Sequence, residues 1–139
     1  IALEYACARS KKTGRKIIIA TFVEPIDVLT TQGISEIMKN EAREEAESRL
    51  KDAASFVKNK IGEIPALSIR EGETIPELKK LIDEEKNINV LVLAAKSDEN
   101  SKDPGPIITS LVTNEITNLR VPIMIVPGNF SEDYISQIT

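Results

Sequence analysis

The sequence predicts an α/β domain, a three-layer sandwich with a parallel sheet at its centre. Three observations lead there. Short β-branched apolar runs alternate with longer stretches whose apolar residues recur at helical spacing. The two strongest runs, Lys16–Val23 and Val90–Ala95, are almost continuously apolar, as strands covered on both faces are. Each run is separated from the next by a helix, the crossover that parallel neighbours require.

A helix is expected first, from Ile1 to about Lys12, rich in small residues and stopped by Gly14. Lys16–Val23 is the first strand, ended by Glu24-Pro25. A crossover helix needs a strand on each side, and the opening helix has none before it. A further strand is therefore expected upstream. Residues 26–33 read as a loop or ragged helix start. A long helix then carries Ile34, Ile37, Met38, Ala42, Ala46, Leu50, Ala53, Ala54, Val57 and Ile61 on one face. Its other face is charged, with Glu45–Arg49 and Glu47–Lys51 one turn apart, a solvated surface.

Ala66–Arg70 is a short strand, and Glu71-Gly72-Glu73 turns the chain. Thr74-Ile75-Pro76-Glu77 reads as a capping box opening a helix to about Lys86, with Leu78, Leu81 and Ile82 inward. Val90–Ala95 is the second fully apolar strand. The polar stretch Lys96–Asp103 is closed by Pro104-Gly105-Pro106. The next helix is expected to carry Ile108, Leu111, Val112, Ile116 and Leu119 on one side. Pro122–Val126 is the last strand, with proline at its first position, where no ladder donor is needed. The domain is thus expected over 1–127. Residues 128–139 form a tail with a short helix capped by Ser131 and stapled by Phe130 and Ile135.

Composition narrows the function. A chain of 139 residues is one domain in size, and 41% hydrophobic with 29% charged residues is an ordinary soluble mix. A net charge of -4, with basic residues interleaved among acids, argues against nucleic acid as a partner. No apolar run approaches a membrane span, and the N-terminus shows no signal-peptide pattern, so a cytoplasmic protein with no membrane partner is expected. Cys7 is the single cysteine, read as a small core residue. The absence of histidine removes His-based triads and the usual zinc sites. The carboxylates of Asp83-Glu84-Glu85 and Asp98-Glu99 lie on a helix end and a loop, so no metal site is expected. No serine or lysine stands beside an identifiable base. No catalytic residue and no enzymatic activity are expected.

The junction from Lys96 to Ser110 carries the strongest chemical signal. It joins a central strand to a helix, so amides near Ile107–Thr109 point towards the carboxyl edge of the sheet and attract anions, phosphate above all. The nucleotide site expected there is walled by Thr21, Val23, Ala94, Ala95 and Lys96, with Gly105, Thr109 and Ser110 at the helix start. The alternative is that Gly105-Pro106 merely starts a helix and the hydroxyls are solvated. The last strand is apolar and carries no charge to block pairing, so Ile123, Met124, Ile125 and Val126 are expected in a subunit contact.

Ala2-Leu3-Glu4-Tyr5-Ala6 followed by Lys12-Thr13-Gly14 and an apolar strand ending Val23-Glu24-Pro25 resembles the start of universal stress proteins. Ile69-Arg70-Glu71-Gly72-Glu73 leading into an acidic helix resembles their middle. Val90-Leu91-Val92-Leu93-Ala94 and Val121-Pro122-Ile123-Met124-Ile125-Val126 resemble their last two strands. The likeness runs from Ala2 to Val126. It implies a flavodoxin-like domain of strand order 3-2-1-4-5, counting the expected upstream strand as the first. It also implies a cytoplasmic homodimer through the last strand and a role in stress response by ligand or protein binding. Members that bind ATP carry Gly-x2-Gly-x9-Gly-Ser/Thr after the fourth strand. Laid on this chain, those glycines fall near Ser97, Asn100 and Thr109 or Ser110, and none is glycine. The resemblance therefore implies a subtype without the glycine-rich motif, with ATP or AMP as the candidate cofactor and binding weak or altered. The alternative function is an ATP- or AMP-binding protein with weak hydrolase activity. A receiver-like signalling domain would need an Asp after the third strand and a Lys after the last, where this chain has Arg70-Glu71 and Pro127-Gly128.

Overall fold

A computed structural model describes residues 1–24, 32–98 and 100–139, with side chains from 36 onward in the helix that starts at Gln32. The expected loop at 26–33 falls mainly outside the described residues, as do Pro25 and Glu99. The elements are α1 (Ala2–Thr13), β1 (Ile18–Val23), α2 (Gln32–Ile61), β2 (Ala66–Glu71), α3 (Thr74–Glu84), β3 (Leu91–Ala95), α4 (Pro106–Ser110), β4 (Ile123–Pro127) and α5 (Glu132–Ile138). The alternation of strands and helices is the one the sequence predicts. The strands form two parallel pairs, β1 with β2 and β3 with β4. Both pairings belong to the order 3-2-1-4-5.

The chain divides into two compact units, Lys16–Glu77 and the remainder, Ile1–Arg15 with Leu78–Thr139. In the first, β1 and β2 run in register from Ile18 opposite Ala66 to Val23 opposite Glu71. Helix α2 covers them with Ala46, Leu50 and Val57, all buried. In the second, Leu91 lies opposite Ile123 and Ala95 opposite Pro127. Tyr5 of α1, Val126 of β4 and Ile135 of α5 form a buried cluster, flanked by Ala8, Val92, Met124 and Phe130. The tail therefore packs on its own subunit. Ser131 caps α5, its hydroxyl accepting from the Tyr134 amide at 3.1 Å. Gly14 stops α1 at φ 73°, a left-handed position that glycine takes without strain, and Cys7 is buried.

Four expectations need correction. No residue of β1 or β3 is fully buried; among the described residues each has one strand neighbour instead of two. The Glu77 amide donates to the Glu73 carbonyl at 3.1 Å, so Thr74 is already the first helical residue and not the cap of a capping box. The Thr74 hydroxyl donates instead to Glu24 Oε1 at 2.9 Å. The helix after Gly105 also loses its expected period. Residues Leu111–Glu115 form a π-helical turn and Ile116–Asn118 a 3-10 turn. A π turn inserts an extra residue and rotates the residues beyond it about the helix axis. Ile108 and Leu111 are buried, but Val112 and Ile116 are each 46% exposed. Lastly, the tail's apolar side (Phe130, Tyr134, Ile135 and Ile138), which in sequence reads as a packing surface, is only partly used: Ile135 is buried, whereas Tyr134 and Ile138 are exposed.

Candidate functional site

The chain from Lys96 to Ser110 is a closed loop running into α4. The Lys96 amide donates to the Pro104 carbonyl at 2.9 Å and ties the two ends of the loop. Inside it, Asp98 and Ser101 form an isolated bridge, and Asp98 Oδ1 accepts from the Asn100 amide at 3.0 Å. The Ser101 hydroxyl accepts from the Asp103 amide at 3.1 Å. Gly105 sits at φ 114° and ψ 154°, a region that only glycine enters without strain.

The carboxylate of Asp103 turns onto the start of α4. Its Oδ1 accepts from the Gly105 amide at 2.9 Å and lies 3.4 Å from the donating Thr109 hydroxyl. Gly105 and Thr109 are both residues the sequence nominates for the site, and the Thr109 hydroxyl is one of the donors it nominates for phosphate. Here a side chain of the loop itself takes them, and it brings the negative charge that a phosphate would bring.

The far side of the loop is held by backbone contact. A Cβ placed on Gly128, just after β4, would lie 2.3 Å from the Ala95 carbonyl oxygen and 3.2 Å from both the Ser97 amide nitrogen and its Cβ. The chain after β4 thus runs hard against the end of β3. In the sequence Gly128 reads as a breaker only; the close approach depends on which strands are neighbours.

The nominated residues fall in separate parts of the chain. Ala94 and Ala95 end β3, Lys96 comes next and is exposed, and Gly105, Thr109 and Ser110 open and close α4. Thr21 and Val23 lie on β1 in the other unit, opposite Ile69 and Glu71. Of the β4 residues, Val126 is buried and Met124 packs against the Tyr5–Val126–Ile135 cluster, leaving Ile125 at 38% exposure.

The carboxyl end of β1 and β2 holds polar chemistry where the sequence predicts only a turn. Arg70 Nε lies 3.1 Å from Glu77 Oε2, with the two side chains 19% and 17% exposed. Arg43 of α2 reaches Glu71 at 2.6 Å and Glu47 at 3.3 Å. The hydrogen bond to Glu71 is the main influence raising the Arg43 pKa above its ordinary value, against a smaller opposing effect of desolvation. Arg49 pairs with Glu45 on the exposed face of α2, as the spacing predicts. Among the described residues, no group of three or more His, Cys, Asp or Glu could hold a metal ion. Among them also, no helix is long and apolar enough to cross a membrane.

Parallel strands joined by crossover helices place this chain in the class of α/β domains. Within that class, the chain shares its fold with solved universal stress proteins. One is the universal stress protein UspA from Lactobacillus plantarum, with TM-score 0.72, 12% identity, and coverage of 90% of this chain and 86% of that one. A second is the hypothetical protein MJ0577, the subject of a structure-based assignment of biochemical function, with TM-score 0.72, 18% identity, and coverage of 94% and 88%. A third is a universal stress protein family member from Burkholderia pseudomallei, with TM-score 0.64, 17% identity, and coverage of 91% and 84%. No protein-family model matches the sequence, and no curated protein sequence matches it.

Proposed function

We propose that this chain is a universal stress protein-like, cytoplasmic domain that acts in stress response by binding a ligand or protein partner, without the family's usual ATP binding. The fold likeness supports the family reading. One observation supports the rest: Asp103 takes the Gly105 amide and faces the Thr109 hydroxyl in the loop that the sequence nominates for phosphate. A nucleotide would have to displace that carboxylate or accept its repulsion. Ser97 and Asn100 add side chains where close backbone approach to phosphate needs none. The domain carries no assigned catalytic step.

Equilibrium titration with a fluorescent ATP analogue, followed by a hydrolysis assay, tests this. No saturable binding at micromolar protein is expected. Saturable micromolar binding would overturn the reading in favour of a nucleotide-binding protein, and turnover would add weak hydrolase activity. The domain is further proposed to dimerise through β4, where Ile125 is the apolar residue left exposed. Met124 serves its own subunit's core, so Ile125→Lys is the cleaner test. A shift towards monomer in sedimentation is expected, and an unchanged dimer would remove β4 from the interface.

A further inference from the structure

We propose that the outer edge of β2 is a second self-association surface, on which two copies of this chain pair antiparallel about Ser68 and extend the β1–β2 sheet across a two-fold axis. The Ala66 amide donates to Ile17 and the Gly72 amide to Val23, each at 3.0 Å, so the even-numbered residues of this strand turn their amides towards β1. By alternation, the amides and carbonyls of Leu67 and Ile69 point the other way. Among the described residues β1 is the only strand paired with β2. Proteins usually blunt such an edge with charge, proline or a bulge; here Pro65 and the charged Arg70 and Glu71 stand at the two ends, and Ala66-Leu67-Ser68-Ile69 between them has none of these.

Beside this edge, between α2 and β2, lies an open groove of about 240 Å³ lined by Glu47, Leu50, Lys51, Leu67 and Ile69. Leu67 is 45% exposed within it. The occupant that fits both edge and groove is a second copy. Antiparallel pairing about Ser68 sets Leu67 opposite Ile69 of the copy, and Ile69 opposite Leu67, with their outward amides and carbonyls exchanged. Pro65 lacks an amide hydrogen, so the ladder ends there and the register is limited. The groove rim carries opposite charges one helical turn apart: Glu47, which also pairs with Arg43 at 3.3 Å, and Lys51, to which no ion pair occurs among the described residues. A two-fold axis reverses the order of those charges, so Lys51 of each copy faces the Glu47 end of the other.

Ser68 would then form a non-hydrogen-bonded pair with its mate, at a Cα separation of about 4.5 Å, inside the range for a disulfide. The test is Ser68→Cys in a Cys7→Ala background, oxidised mildly, beside Leu67→Lys examined by sedimentation equilibrium. A covalent dimer is expected from the first and a self-association weakened at least about tenfold from the second, since an edge lysine blocks strand pairing. Ile125→Lys, which bears on β4, should leave the cross-link intact. A folded Ser68→Cys chain that gives no covalent dimer overturns the proposal. So does a Leu67→Lys chain that associates as the native one does, and this variant decides by itself if the cysteine variant fails to fold.

Discussion

Replacing Gly128 by alanine tests the close approach of the chain after β4 to the end of β3. The new Cβ would meet the Ala95 carbonyl oxygen at 2.3 Å. An ordinary contact between carbon and a carbonyl oxygen is about 3.3 Å, so the two backbones must part by roughly 1 Å. The obstacle is main chain at the end of β3, which cannot rotate aside as a side chain would. Forced overpacking of this kind costs about 1–3 kcal/mol. For a chain of this size, about 3 °C of melting temperature goes with each kcal/mol, so a fall of about 3–10 °C is expected by circular dichroism. The strain should spread locally to the Lys96 amide, whose bond to Pro104 closes the loop, and amide exchange there should accelerate. Ser97→Gly in the same chain removes only the 3.2 Å side-chain contact and should restore little. Melting of Gly128→Ala within a degree of native, or full rescue by Ser97→Gly, would refute a backbone clash.

The packing makes three further outcomes testable. Ile135→Ala empties a site where the side chain is 1% exposed; a loss of about 2–4 kcal/mol is expected in urea melts, with early proteolysis in the tail, and an intact tail would contradict the cluster. Glu77→Ala removes the largely shielded partner of Arg70. A cost of about 1–2 kcal/mol is expected once solvent screening is allowed for, and a neutral result would make the pair incidental. Val112→Lys should change stability by less than about 0.5 kcal/mol, because Val112 is 46% exposed; a severe loss would contradict that exposure.

Local chemistry was enough to read the elements. β-branched runs gave β1 and β3, helical spacing gave α2 and α3, Gly14 marked a helix end, and Ser131 with Phe130 and Ile135 announced α5. These signals lie within a few residues of one another, so the sequence by itself determined them, and their alternation determined the parallel pairing. The nominated loop between β3 and α4 was legible for the same reason. What sits in that loop was not. That Asp103 turns onto Gly105 and Thr109 depends on how a ten-residue segment closes, which spacing does not encode. That Gly128 must be glycine depends on β4 lying beside β3, and the π turn at Leu111–Glu115 is a form that a 3.6-residue template cannot contain. Arg43 of α2 meets Glu71 of β2 only when the helix packs on that strand, and the Arg70–Glu77 pair depends on how the turn from β2 into α3 closes. Such features depend on the path the folded chain takes through turns and between strands, and the three-dimensional structure alone decided them.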